Sequence, residues 1–420
     1  MGKARDALAV NILVANVAYA ARLVMPLLLL PVLAHRLDVA DYGVYMYAMA
    51  TAQWLGLFIE FGFNLSATRQ VSSALTSNAI AFIATDTQNA RLTLAAGTSL
   101  PALGLLLWSP QFAAAPQWVV VAWAYGALSA LVPQYYFQGT HRLRDIASAE
   151  LVSAIATLGL VASLVTQSNQ ALMLPLLVLA PRLVTTCYLT ARMHRLLGDS
   201  RIGTYSFTSA RRSLSVGLGL FKFQIYVSLY TSFNLILAGH FFSPTQIGAY
   251  ASADRIMRAG LGFFSQISAA IFPKFVAMRA AGDSNLAGAR LIAIAGMLSL
   301  GVIGAAITWF AAPALSRILF GNTHELAAEI LRIQAMVVPA IAISSAISFH
   351  FLLVDGQDSR LNRVVLVAAA ANVPICMILM TRQGVQGGAV SWVVIEWAIA
   401  AMLITMTLLQ HNTNRTKEEK

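Results

Sequence analysis

Residues 291–311, LIAIAGMLSLGVIGAAITWFA, decide the class of this chain. The run carries no charge over 21 residues, and a helix crosses the hydrocarbon core of a bilayer in about 20 apolar residues. Similar runs recur along the sequence. Reading hydropathy outward from this segment places spans at 8–34, 42–67, 92–110, 117–138, 146–166, 171–191, 213–240, 246–274, 286–311, 325–353, 362–381 and 385–409. Composition agrees: of 420 residues, 58% are hydrophobic and only 11% charged, against about 25% charged in a soluble domain. The expected fold is an all-α integral membrane protein of about twelve transmembrane helices, roughly 35 residues per helix and loop.

The net charge of +11 raises the question of nucleic acid, but its distribution points elsewhere. If the amino terminus is cytoplasmic, the loops on that side carry Lys3, Arg5, Arg69, Arg91, Arg142, Arg144, Arg192, Arg195, Arg201, Arg211, Arg212, Arg279, Arg360, Arg363, Arg415 and Lys417. The other side carries Arg36, Arg317 and Arg382. That asymmetry is the positive-inside pattern and puts both termini in the cytoplasm. The first apolar run follows Lys3 and Arg5, as a signal peptide would, but continues past Pro26 and Pro31 with no clear cleavage site. It reads as a retained helix. Cys187 and Cys376 both fall inside spans and read as packed small hydrophobes rather than a disulfide.

The longest polar link, about 192–212, divides the chain into an amino-terminal six-helix lobe, 1–203, and a carboxy-terminal one, 204–420. The halves share a trace of repetition. Gly43-Val44-Tyr45 opens the second span and Gly248-Ala249-Tyr250 the eighth, 205 positions apart. Six helices per half give the repeats the same membrane orientation, as in parallel-repeat transporters, with a substrate path between the lobes. The external loops, such as 167–170 and 382–386, are too short for a catalytic domain.

Several cations interrupt the spans: Arg22, Arg182, Lys222, Arg255, Arg258 and Arg332, offset by few acids. A charge at the bilayer centre costs about 2.5–3.5 kcal/mol and usually faces a bundle interior or a watery cavity. So many suggest a central cationic cavity suited to an anion. Arg22 shares a helix face with Asn11, Tyr19 and Pro26, and either lines the cavity or is held by carbonyls or an acid. Asp254 and Arg258 stand i,i+4 and can pair, leaving Arg255 without a local partner. Lys222, with Tyr226 on its face, suits phosphate and sugar contacts, or else snorkels to the cytoplasmic surface. Arg182 follows Pro181 in a span that proline can bend. Arg332, near the external end, reads as snorkelling. Glu60, Asp254 and Glu396 are candidates for ion coupling, since burial makes a carboxylate titrate nearer neutrality; the alternative for each is a structural pair. Gly56, on the face of Glu60, suggests close helix packing.

No Walker A loop, HExxH, CxxC pair or acid-rich metal motif occurs. The reading is therefore a transporter without catalytic residues, metal or bound cofactor, driven by a proton or sodium gradient rather than directly by ATP.

One set of motifs goes further. Asn11, Asn16, Pro26, Pro31 and Arg36-Leu37, then Asp41-Tyr42-Gly43-Val44-Tyr45, then Phe61-Gly62-Phe63 and Ala67-Thr68-Arg69, resemble the amino-terminal signature of Wzx-type polysaccharide flippases. These transporters of O-antigen and exopolysaccharide units belong to the multidrug/oligosaccharidyl-lipid/polysaccharide (MOP) exporter superfamily. In the second half Gly248-Ala249-Tyr250, Ala253, Arg255-Ile256 and Ile271-Phe272-Pro273-Lys274 fit as well. The resemblance implies two lobes in a V, alternating access, and a polyprenyl (undecaprenyl)-pyrophosphate-linked oligosaccharide moved to the outer leaflet of the bacterial inner membrane. It implies lipid-linked oligosaccharide and membrane lipid as partners, with a polysaccharide polymerase and chain-length regulator as candidates beside them, and no nucleic acid. Arg22, Lys222 and Arg255 fall on helices that line the cavity in such transporters. Intramembrane Arg and Lys are apt partners for a pyrophosphate. The competing readings are a lipid II flippase, which usually carries two further helices; a drug/cation antiporter, which a cationic cavity disfavours; and a membrane glycosyltransferase or glycan polymerase, which would need longer external loops.

Overall fold

The computed structural model describes residues 27–166, 172–198, 203, 205–283, 285–320 and 324–418. Among these residues every regular element is helical. The expected first span therefore shows only its end, α1 (Leu27–Arg36); Arg22, with Asn11, Tyr19 and Pro26, lies outside the described residues. Among the described residues eight helices are long and apolar enough to cross a membrane. The chain forms two compact units, residues 1–225 with 243–248, and 226–242 with 249–420.

The first unit contains α2 (Val39–Glu60), α3 (Phe63–Ser73), α4 (Ser77–Trp108), α5 (Pro110–Ala114), α6 (Gln117–Leu131), α7 (Gln134–Gly139), α8 (Leu143–Leu164), α9 (Leu174–Leu197) and most of α10 (Phe207–Thr231). Helices α2 and α6 pack backbone to backbone. A Cβ on Gly126 would lie 2.5 Å from the Ala52 carbonyl oxygen, and one on Gly56 would lie 3.2 Å from that of Gly126. Small residues permit this approach, the usual device where lipid supplies no hydrophobic drive between helices. The two Gly-x-Tyr motifs also meet here. A Cβ on Gly43 would stand 1.8 Å from the Pro244 carbonyl oxygen, and one on Gly248 would stand 3.1 Å from Gly43 Cα. The segment before α10 and the first turns of α10 are fastened to α4: Gly203 N–H donates to Thr85 Oγ1 at 2.8 Å, and Arg212 of α10 pairs with Asp86 at 3.0 Å. Ser209 donates a hydrogen bond to the same carboxylate.

The second unit contains α11 (Phe233–Phe241), the body of α12 (Pro244–Ala280), α13 (Leu286–Phe320), α14 (His324–Ala335), α15 (Val337–Ile347) with a π-helical end at Ser348–Leu352, α16 (Asp358–Gln383) and α17 (Gln386–Glu418). Helix α13 holds the stretch that opened the sequence reading. It packs on α15 so tightly that a Cβ on Gly301 would stand 2.8 Å from that of Ala342.

Four expected spans are broken helices rather than continuous ones. In 42–67 the break falls at Phe61 and Gly62, both left-handed (φ 51° and 75°). In 117–138 it falls at Val132-Pro133, in 213–240 at Ser232, and in 325–353 at Met336. A broken helix inside a membrane frees backbone groups that no water can satisfy, so side chains must. Each break here has such a partner. Glu60 accepts from the N–H groups of Gly62 (3.0 Å) and Asn64 (2.5 Å). Arg91 donates to the Val132 carbonyl (2.8 Å). Arg258 donates to that of Thr231, and the Trp397 indole to that of Met336 (3.0 Å).

Arg91 corrects the sequence reading. It is not a loop cation: α4 begins at Ser77, and Arg91 lies within it, fully buried. The polar run Thr85–Arg91 depresses local hydropathy, which moved the expected start of the span to residue 92. In the fold Thr85, Asp86, Asn89 and Arg91 are buried. Arg36, expected in an external loop, donates to the carbonyls of Ala162 and Val165 (the latter at 3.0 Å) and so caps the end of α8.

Candidate functional site

In the second unit α12 carries three consecutive-turn charges with different fates. Asp254 and Arg258 form a bidentate pair, Nε to Oδ2 at 2.6 Å and Nη2 to Oδ1 at 2.8 Å. The same guanidinium donates to the Thr231 carbonyl at the α10–α11 break and lies over the Trp392 ring, 5.0 Å from its centroid. Pairing, a capped carbonyl and an aromatic face together compensate a charge that would otherwise be costly to bury. Arg255 is rotated about 100° around the helix from Asp254. It is half-buried and has neither an ion pair nor a hydrogen bond among the described residues. It is a charge held in the helical body of this unit and left for something else.

Around this pair runs a polar network. Asn234 of α11 donates to the Gly388 carbonyl (3.1 Å). Asn372 of α16 donates to Asn234 Oδ1 (2.7 Å) and to the Leu229 carbonyl (2.9 Å). Ser391 of α17 donates to Asn372 Oδ1 (3.0 Å). The next residue, Trp392, donates from its indole to Glu396, one turn further along, at 3.2 Å. Glu396 is 4% exposed and has no salt bridge among the described residues. Sequence reading singled out Glu396 but not Asn234, Asn372 or Ser391. The signal available was asparagine inside apolar spans, where an amide must find a partner.

In the first unit the candidates are largely engaged. Arg182 forms a close pair with Glu150, Nη1 to both carboxylate oxygens at 2.9 and 2.8 Å, and reaches the Ser129 carbonyl at 3.4 Å. Glu150, on α8, was not anticipated as the partner. Glu60 spends both oxygens on the N–H groups beyond its own helix end. Arg91, unforeseen as a buried cation, joins the α6–α7 break to the first turn of α3 by donating to Asn64 Oδ1 at 2.9 Å. Lys222 of α10 is exposed and has no partner among the described residues. Tyr226, which falls in the second unit, is half-buried. Arg332 donates to the Trp309 carbonyl at 3.4 Å. Of these seven cations, Arg36, Arg91, Arg182, Arg258 and Arg332 are held by carboxylates or carbonyls, whereas Lys222 and Arg255 have neither an ion pair nor a hydrogen bond among the described residues. No group of acids, histidines and cysteines that could hold a metal occurs among the described residues.

Comparison with known proteins adds an independent line. Residues 8–279 match the family model described as polysaccharide biosynthesis protein. Two proteins provisionally named O-antigen transporter are similar over nearly the whole chain. The one from Escherichia coli K12 is 23% identical over 405 residues, covering 94% of this chain and 95% of that protein. The one from Shigella dysenteriae is 23% identical over 397 residues, covering 94% and 98%. Among solved structures, an inward-facing multidrug-resistance MATE-family transporter of the MOP superfamily superposes with a TM-score of 0.71 at 14% identity, covering 93% of this chain and 99% of that one. The lipid II flippase MurJ in an inward closed conformation gives 0.72 at 12% identity, covering 94% and 87%. The fold is that of this group of membrane transporters.

Proposed function

Because the chain belongs to the polysaccharide biosynthesis protein family, we propose that it is a flippase for a polyprenyl (undecaprenyl)-pyrophosphate-linked oligosaccharide. It carries this lipid from the cytoplasmic to the outer leaflet of the bacterial inner membrane by alternating access, for O-antigen or exopolysaccharide synthesis. The observation that carries the reading is the similarity to the two O-antigen transporters along nearly their whole length. The chemistry of the free cations supports it. A pyrophosphate needs donors that are not already neutralised, and Arg255 and Lys222 meet that condition. On this reading each is a candidate contact for the pyrophosphate, and Tyr226 a candidate contact for the sugars. Arg182, held by Glu150, shapes the helix pair instead.

For coupling to a proton or sodium gradient, Glu396 is the best placed of the three acids. Asp254 is committed to Arg258 and Glu60 to backbone, whereas Glu396 has one neutral donor. The asymmetry of loop cations supports cytoplasmic termini. A polysaccharide polymerase and chain-length regulator are the expected functional neighbours, and membrane lipid the surrounding one. The likeness to multidrug transporters concerns the fold; an unpaired arginine in α12 disfavours a cationic drug as cargo.

Deleting the gene and analysing the lipid-linked glycans tests the reading. The expected result is accumulation of one polyprenyl-linked glycan on the cytoplasmic leaflet and loss of a surface polymer, both reversed by the wild-type gene. Unchanged surface polymer with no accumulated precursor would overturn it.

A further inference from the structure

Five arginines ring one end of the first unit. Arg69 lies on α3, Arg142 and Arg144 at the start of α8, and Arg192 and Arg195 in the last turns of α9. A hydrophobic cluster that includes Val71, Phe137, Ile146 and Met193 draws these elements, with α7, together at that end. Among the described residues one acid pairs with them: Asp145 Oδ2 is 3.9 Å from both Arg142 and Arg192. Arg69, Arg144 and Arg195 are exposed and make no ion pair among the described residues. The rim is therefore strongly cationic on three helices at once.

A second observation indicates what faces it. Apolar side chains project among the arginines: Leu75, between α3 and α4, is 99% exposed, and Leu143, between Arg142 and Arg144, is 46% exposed. A surface for nucleic acid or for an acidic soluble protein has no use for outward leucines set among its cations. At the edge of a bilayer the two residue types have separate partners: the leucine meets the acyl boundary, and the guanidinium meets a phosphate. Because the cations belong to separate helices around the bundle, they suit several headgroups side by side. We propose that this end of the first unit is a binding surface for anionic phospholipid headgroups of the leaflet that it faces. The proposal does not depend on the transport reading, and its test measures lipid rather than transport.

The experiment uses the purified full-length chain in nanodiscs of mixed phosphatidylglycerol and phosphatidylcholine, with retained lipid counted by native mass spectrometry. The wild type is expected to enrich phosphatidylglycerol. The triple variant Arg69→Gln, Arg144→Gln, Arg195→Gln should lose that enrichment by about tenfold or more. Its Arg→Lys counterpart should keep most of it, and Arg382→Gln, at the end of α16, all of it. Enrichment should weaken as salt is raised and survive excess glycerol phosphate, which has the anion without the acyl chains. No enrichment in the wild type, enrichment unchanged in a folded triple-Gln variant, or displacement by glycerol phosphate would each overturn the proposal. If the triple-Gln protein does not fold, the salt series on the wild type and the Lys variant decides: enrichment indifferent to salt overturns it.

Discussion

Arg91 and Arg255 show two opposite ways of carrying a positive charge in this chain. Arg91 is fully buried, with Val132 and Asn64 as acceptors and the Tyr135 ring 4.9 Å from its guanidinium carbon. Its replacement by alanine leaves the buried Val132 carbonyl without its donor, about 1–3 kcal/mol, and removes a donor from the half-buried Asn64. Arg91→Ala should therefore lower the thermal unfolding temperature in detergent by several degrees, and a wild-type transition would show that the helix breaks do not need it. Arg255 makes no such contacts, so Arg255→Ala should leave unfolding unchanged while transport in vesicles falls at least about tenfold, or roughly 1.4 kcal/mol. Arg255→Lys should recover part of it, since lysine keeps the charge but not the bidentate fork. Equal transport by all three proteins would remove Arg255 from the substrate path. The sequence disclosed the Asp254–Arg258 pair because its partners stand four residues apart on one helix. It concealed Arg182–Glu150, whose partners lie 32 residues apart on different helices, and misplaced Arg91, whose polar neighbours mimic a loop.

The spans were readable at the scale of elements because hydropathy averages over a whole helix. The breaks were not, because one or two residues vanish in that average. Phe61-Gly62 and Val132-Pro133 contain recognisable breakers, whereas Ser232 and Met336 do not; only the donors set against their flanking carbonyls reveal them. The close seam between α2 and α6 was foreshadowed by Gly56 but not by its opposite number, Gly126. Gly126→Leu would push against the Ala52 carbonyl, where even a Cβ has 2.5 Å. Overpacking against side chains costs about 1–3 kcal/mol, and backbone yields less. The variant should appear in the membrane at a fraction of the wild-type level, measured by quantitative blotting of membrane fractions. Wild-type abundance and stability would show that the seam can open.

At the scale of the whole molecule, most of the buried charge cancels or is fixed in place, and Arg255 does neither. On the proposed function, alternating access moves Arg255 relative to the membrane field. That field acts on each elementary charge with about 2.3 kcal/mol per 100 mV. On that reading Arg255 and Lys222 each bring +1 to the empty site, and a doubly charged pyrophosphate cancels them, so that the loaded site is neutral. A membrane that is negative inside then leaves the loaded step nearly indifferent and draws the empty, positive site back, so the voltage favours the return half of the cycle. Vesicles with an imposed inside-negative potential in the physiological orientation should transport faster than unpolarised ones, and Arg255→Gln should blunt the acceleration. A rate indifferent to voltage would mean that the charge stays still. On the proposed function, the unpaired arginine beside a neutral pair makes the carrier a small electrical device, reset after each load by the membrane potential.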